Sequence, residues 1–70
     1  MIFQPRYPVL KMVIVNTKTD KTFRGVLWQK RAGYLVLRNA VMLQTRGEPV
    51  ALDGELVLES ANVDFMQVLA

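Results

Sequence analysis

The sequence contains no cysteine and no histidine, and its only serine is Ser60. Disulfides are therefore excluded, as are the usual zinc sites. A hydrolytic triad needs a nucleophile with a base, and a single serine without histidine does not supply one. No glycine-rich phosphate loop of recognised spacing is present. We predict a non-enzymatic protein with no catalytic residues, no metal and no cofactor.

Long apolar runs are also missing, since the longest are "MVIV" and "AVML". Both are far shorter than the roughly 20 residues that a membrane-spanning helix needs. The first residues lack the charged start and apolar core of a signal peptide. We expect an intracellular, cytoplasmic location, or a place in a viral particle, and no membrane partner.

What the sequence does have is an unusual amount of apolar surface for its size. The 70 residues are enough for one domain, and 51% of them are hydrophobic while 21% are charged. A domain this small has little interior in which to bury such a fraction. We therefore expect part of the apolar surface to be buried against other copies of the chain or against a partner.

Charge is divided unevenly along the chain. Residues 1–40 carry eight Lys and Arg against one Asp, and residues 41–70 carry one Arg against five acidic residues. The net charges of the two parts are therefore +7 and −4. The basic part is suited to attract phosphates. The alternative is that the two parts contact each other, within one barrel or between neighbouring subunits.

Strand and turn signals recur about every 10 residues, a spacing typical of a small all-β barrel or sandwich, and helical periodicity is not sustained. Residues 1–8 contain Pro5 and Pro8 and are predicted to form an extended arm before a single domain at 9–70. Gly25, inside an apolar alternation, predicts a sharp bend or a close approach of two backbones. Five strands are predicted, at residues 9–16, 21–30, 34–39 (extending to 43), 55–60 and 63–69.

These strands resemble those of the Sm/LSm family, which includes the bacterial host-factor RNA chaperones. "VIVNTKTDKTFRGVL" is similar to the first part of the family's first motif, "YLVLRNAVML" to its third strand, and "LVLESANVDFMQVL" to its second motif. The resemblance covers roughly residues 9–70 and implies a strongly bent five-stranded barrel, in which the arm replaces the family's N-terminal helix. Small SH3-like barrels share similar spacing.

The resemblance also implies a ring, because in the family strand four of one copy pairs with strand five of the next. On that basis the apolar residues of the last two strands are predicted to form the subunit interface: Leu56, Leu58, Val63, Phe65, Met66 and Val68. Apolar residues on both faces of the last strand favour such burial.

The candidate nucleic-acid site lies at the turn between strands two and three. Lys30 and Arg31 can neutralise phosphates and Tyr34 can stack on a base. Asn62 keeps the type of a residue in the turn of the family's second motif. The family's acidic, stacking and asparagine residues are not matched in "QKRAGY", and Glu59 stands where the family has a cation. Trp28 either stacks on a base or packs at a protein contact.

Three functions follow. The first is a homo-oligomeric ring with weak binding of RNA or another nucleic acid. The second is a structural component of a larger protein assembly, such as a virion, without an RNA-binding role. The third is an SH3-like adaptor that binds a peptide through Trp28.

Overall fold

The computed structural model describes residues 9–69, and the predicted arm at residues 1–8 lies outside the described residues. The described part forms strands joined by turns, and its only helical element is a single 3-10 turn, Ser60–Asn62. None of its elements is a helix long and apolar enough to cross a membrane. The prediction of an all-β fold is therefore confirmed. The strands are β1 (Met12–Thr17), β2 (Thr22–Arg31), β3 (Tyr34–Leu43), β4 (Val50–Ala51), β5 (Glu55–Glu59) and β6 (Val63–Val68).

All strand pairs are antiparallel and belong to one six-stranded sheet. The strand order is β4-β3-β2-β1-β6, and β5 also pairs with β3. β3 therefore changes partner along its length: residues 34–38 pair with β5, and Val41 and Met42 pair with β4. The sixth strand, β4, lies inside the segment predicted to be a connection. The sheet is not closed, because in the described part β5 pairs only with β3 and β6 only with β1.

The core is built from one face of the alternating strands. In β1 and in β2 as far as Leu27 every second residue is buried, as expected for strands with one face against a core. Leu27, Leu35 and Leu37 are almost completely buried, and each contributes about 1.5–3 kcal/mol through removal of apolar surface from water. The buried cluster consists of Val13, Val15, Phe23, Leu27, Leu35, Leu37, Ala40 and Leu58.

Gly25 lies where β2 and β3 approach most closely, in agreement with the prediction made for it. A Cβ atom at this position would lie 3.0 Å from the carbonyl oxygen of Arg38 and 3.1 Å from the Cα of Ala40. The register of the two strands shifts at this point, because Arg24 pairs with Val41 but Val26 pairs with Arg38. Asn39, in the extra length of β3, has a φ of +52°. The bulge in β3 and the missing side chain of Gly25 together let the backbones of the two strands approach closely.

A second irregularity changes which side chains of β6 face the core. Asn16 pairs with Phe65 and Thr17 pairs with Val63, so Asp64 is an extra residue in this strand. Simple alternation places Val63 and Phe65 on one face. In the structure Val63 and Met66 pack against the core, whereas Phe65 is 57% exposed.

Candidate site at the hairpin tip and the strand edges

The hairpin between β2 and β3 brings three of the four predicted nucleic-acid residues together. Arg31 and Tyr34 are direct cross-strand partners, and Lys30 precedes them at the end of β2. Gly33 allows this tight turn because its φ is +88°, a conformation that favours glycine. The Nε of Arg31 donates a hydrogen bond of 3.4 Å to Oε1 of Gln29. The tip is therefore a small exposed surface with two cations and one aromatic ring.

The 3-10 turn after β5 connects this tip to the turn between β1 and β2. The backbone N–H of Ser60 donates to the carbonyl of Gly33 at 2.9 Å. At the other end of the turn, the carbonyl of Asn62 accepts from the N–H of Lys18 at 2.8 Å. The Nδ2 of Asn62 donates to the hydroxyl of Thr19 at 3.3 Å. The Asn62 amide therefore contacts the turn between β1 and β2, while the hairpin tip meets the opposite end of the 3-10 turn.

An acidic residue lies beside the tip. Glu59 is the direct cross-strand partner of Tyr34 and is exposed. A carboxylate next to a stacking ring repels the phosphates of an incoming nucleic acid. The electrostatic character of the tip is therefore mixed, with Arg31 on one side of Tyr34 and Glu59 on the other.

Trp28 is occupied by a contact within the chain. The guanidinium carbon of Arg38 lies 3.9 Å from the centroid of the Trp28 ring. Nε of Arg38 donates to Oε2 of Glu55 at 3.0 Å, which holds the guanidinium in place. One face of the indole is thus covered by a cation and is closed to base stacking. Of the two roles predicted for Trp28, this contact disfavours the stacking of a base on that face.

An open groove of about 320 Å³ lies beside the same indole. The described residues that line it are apolar, polar or basic: Val9, Trp28, Gln29, Lys30 and Arg31. A second open groove, of about 440 Å³, follows β5 and the 3-10 turn and is lined by Val57, Leu58, Glu59, Ala61 and Asn62. The first groove is basic and the second is acidic.

The six residues predicted at the subunit interface divide into two groups. Leu58 is part of the buried core, and three more pack against that core: Leu56, Val63 and Met66. Phe65 and Val68 are exposed. Only these last two offer a large free apolar surface.

The strand β5, which is paired on one edge only, carries an exposed residue that the prediction of site residues left out. Val57, in the middle of β5, is 58% exposed. It alternates with the inward-facing Leu56 and Leu58, so its outward orientation follows from the pattern "ELVLE". The exposure of Val57 could therefore be predicted from the sequence, because this valine lies between Glu55 and Glu59 on the outward face of the strand.

No protein-family model matches the chain, and no curated protein matches it either. In the described residues no group of three or more carboxylates is positioned to hold a metal ion.

Proposed function

We propose that this chain is a non-enzymatic assembly protein, a bent Sm-like barrel whose copies join edge to edge into a homo-oligomeric ring. β5 of one copy pairs with β6 of the next. The observation that carries this proposal is that β5 and β6 each have a strand edge without a partner in the described part of the chain. Free strand edges are templates for pairing with another chain.

The exposed apolar residues support the same assignment. Val57 on β5 and Phe65 on β6 are each more than half exposed, and Val68 is nearly so. Pairing of the two edges brings apolar side chains of neighbouring copies together and removes this surface from water. The high apolar fraction of so short a chain is then explained by burial between subunits.

The course of the strands supports the Sm-like barrel. Apart from the two-residue β4, the five strands are the five that the sequence predicts. The close approach at Gly25 and the bulge at Asn39 are features that favour a bend in a sheet, which supports the barrel. Each contact in this assembly is head-to-tail, and repeated head-to-tail contacts close into a ring when the rotation divides a full turn.

The test is the mass of the particle in solution, with Phe65→Lys as the disrupting variant. A charged residue at a strand edge discourages pairing. We expect one discrete oligomer mass for the wild type by native mass spectrometry and sedimentation, and smaller species for Phe65→Lys. Leu10→Lys is the matched control, since Leu10 is 64% exposed and lies outside every strand. A monomeric wild type, or an unchanged mass for Phe65→Lys, would contradict the proposal.

A second function, weak binding of nucleic acid, is favoured by the clustering of Lys30, Arg31 and Tyr34 at one hairpin tip. Its test is titration of short RNA at two salt concentrations. The variant Lys30→Ala with Arg31→Ala is compared with Lys21→Ala and Arg46→Ala, which removes the same charges elsewhere. Binding at this tip predicts a loss of affinity and a flatter salt dependence only for the first pair. Absence of saturable binding by the wild type would leave a purely structural role in a larger assembly.

A further inference from the structure

The outer face of β2, β3 and β5, on the side away from the core, carries a row of three side chains with opposite charges at its ends. Arg31 pairs with Tyr34, and Tyr34 pairs with Glu59, so the three lie side by side across the sheet. Neighbouring strands are about 4.8 Å apart, which places the two charges about 10 Å from each other. In the described part of the chain neither Arg31 nor Glu59 forms an ion pair.

The next row of the same face ends in an apolar residue on β5, the strand that carries Glu59. Gln29 pairs with Val36, and Val36 pairs with Val57. Val36 is buried although it lies on the outer face, whereas Val57 protrudes and is 58% exposed. At the opposite end of this row, Gln29 lines the basic groove beside Trp28. The face thus has a protruding valine on one side and an open groove on the other.

These two rows make the face complementary to itself. A two-fold axis parallel to β3, placed above the face, exchanges the β2 side of one copy with the β5 side of the other. Arg31 then lies over Glu59 of the second copy, and Val57 lies over the groove beside Trp28 and Gln29. Each contact occurs twice, as an isologous interface requires. The third row consists of Val26, Arg38 and Glu55. It adds no net charge, because Arg38 and Glu55 form an ion pair with each other.

We propose that a second copy of this chain binds the outer face of β2, β3 and β5 in this two-fold arrangement. The contact uses the face of the sheet, whereas the edge assembly proposed above uses the free backbone edges of β5 and β6. Val57 borders both contacts, but Arg31 and Glu59 belong only to the face and Phe65 only to the edge. In a ring of several copies, face contacts join one ring to another, and each added contact strengthens the association. Ion pairs at an interface fix register and partner orientation, so Arg31 and Glu59 select this arrangement.

The experiment uses charge reversal and mixing. Arg31→Glu gives a face with two acidic ends, and Glu59→Arg gives a face with two basic ends. Each variant alone places like charges against each other, and we expect its face-to-face association to weaken by about tenfold or more. An equimolar mixture of the two variants restores both opposite-charge contacts, so association returns only in the mixture.

The controls are Arg24→Glu and Glu48→Arg, which make the same charge changes at other exposed positions. All variants are checked for an unchanged circular dichroism spectrum, and association is followed by sedimentation and native mass spectrometry. Restored association in the mixture supports the proposal. Wild-type association of either single variant, or a mixture no better than its components, would overturn it.

Phe65→Lys separates this proposal from the edge assembly. If the face contact forms and the edge contact does not, the wild type and Phe65→Lys are both dimers and Arg31→Glu is a monomer. If only the edge contact forms, Arg31→Glu keeps the wild-type mass and Phe65→Lys loses it. If both form, Arg31→Glu halves the wild-type mass.

Discussion

The guanidinium of Arg38 stacks on the ring of Trp28, with 3.9 Å between the guanidinium carbon and the ring centroid. The same guanidinium donates to Glu55 on the neighbouring strand. Three strands are thus linked on the outer face by one planar cation. The ion pair itself is exposed, and pairs of this kind contribute at most about 1 kcal/mol. The stacking contact, which depends on the planar shape of the guanidinium, is the more specific part of the arrangement.

A double-mutant cycle between Arg38 and Trp28 tests this contact. We expect a coupling free energy of about 0.5–1 kcal/mol between Arg38→Ala and Trp28→Phe. Because Trp28 is the only tryptophan, unfolding in urea is followed by far-ultraviolet circular dichroism at fixed protein concentration. The same cycle with Arg24→Ala in place of Arg38→Ala serves as the control and should show no coupling. Equal coupling in the two cycles would mean that stacking does not stabilise the fold.

Gly25→Ala tests the close approach of β2 and β3. The added methyl group meets backbone atoms of Arg38 and Ala40, which cannot move aside as a flexible side chain does. We expect a loss of about 1–3 kcal/mol in the free energy of unfolding, as found for overpacked cores. Arg24→Ala, one residue away and exposed, should change stability by less than about 0.5 kcal/mol. A Gly25→Ala protein as stable as the wild type would show that the strands separate easily here.

Much of the fold follows from the sequence because its signals are local. The spacing of strand and turn signals predicted where the strands lie, and Gly25 predicted the close approach of two strands. The bulge at Asp64 was not predictable, because it depends on how β6 pairs with β1, and it reverses the faces of Phe65 and Met66. β4 was missed because two residues carry no periodic signal.

The candidate site could be predicted only in part, for a similar reason. Lys30, Arg31 and Tyr34 lie within five residues of one another in a hairpin, so their clustering follows from the sequence. The contact of Arg38 with Trp28 joins residues ten apart on two strands, and its formation depends on the bulge at Trp28 in β2. The pairing of β3 with β5 decides that Glu59 lies beside Tyr34. The register in which strands distant in the sequence pair with each other could therefore not be predicted from the sequence.

Thr17 tests a buried polar contact in the turn between β1 and β2. Its hydroxyl donates to the carbonyl of Lys21 at 2.9 Å and accepts from the N–H of Lys21 at 3.1 Å. Thr17→Val keeps the shape but leaves the N–H of Lys21 without its partner, whereas the Lys21 carbonyl still accepts from the backbone N–H of Thr17 at 2.9 Å. We therefore expect a loss of about 1–3 kcal/mol. Thr17→Ser retains the hydroxyl and should be closer to the wild type in thermal unfolding. Because Thr17→Val keeps the methyl group and loses the hydroxyl, a Thr17→Val protein as stable as the wild type would show that the hydroxyl hydrogen bonds do not stabilise the fold.

Removal of the Ser60 hydroxyl is expected not to lower stability, in contrast to removal of the Thr17 hydroxyl. Its Oγ is buried and has no hydrogen-bond partner in the described part of the chain, whereas its backbone N–H is bonded to Gly33. A buried hydroxyl without a partner is unfavourable, so its removal is neutral or stabilising. We expect Ser60→Ala to leave the free energy of unfolding unchanged or to raise it by up to about 1 kcal/mol, measured by urea unfolding. Asn62→Ala, at the other end of the same 3-10 turn, is the comparison: it removes the amide bond to Thr19 and should lower stability slightly. A clear destabilisation by Ser60→Ala would mean that the hydroxyl is hydrogen-bonded in solution, by water or by a neighbouring copy.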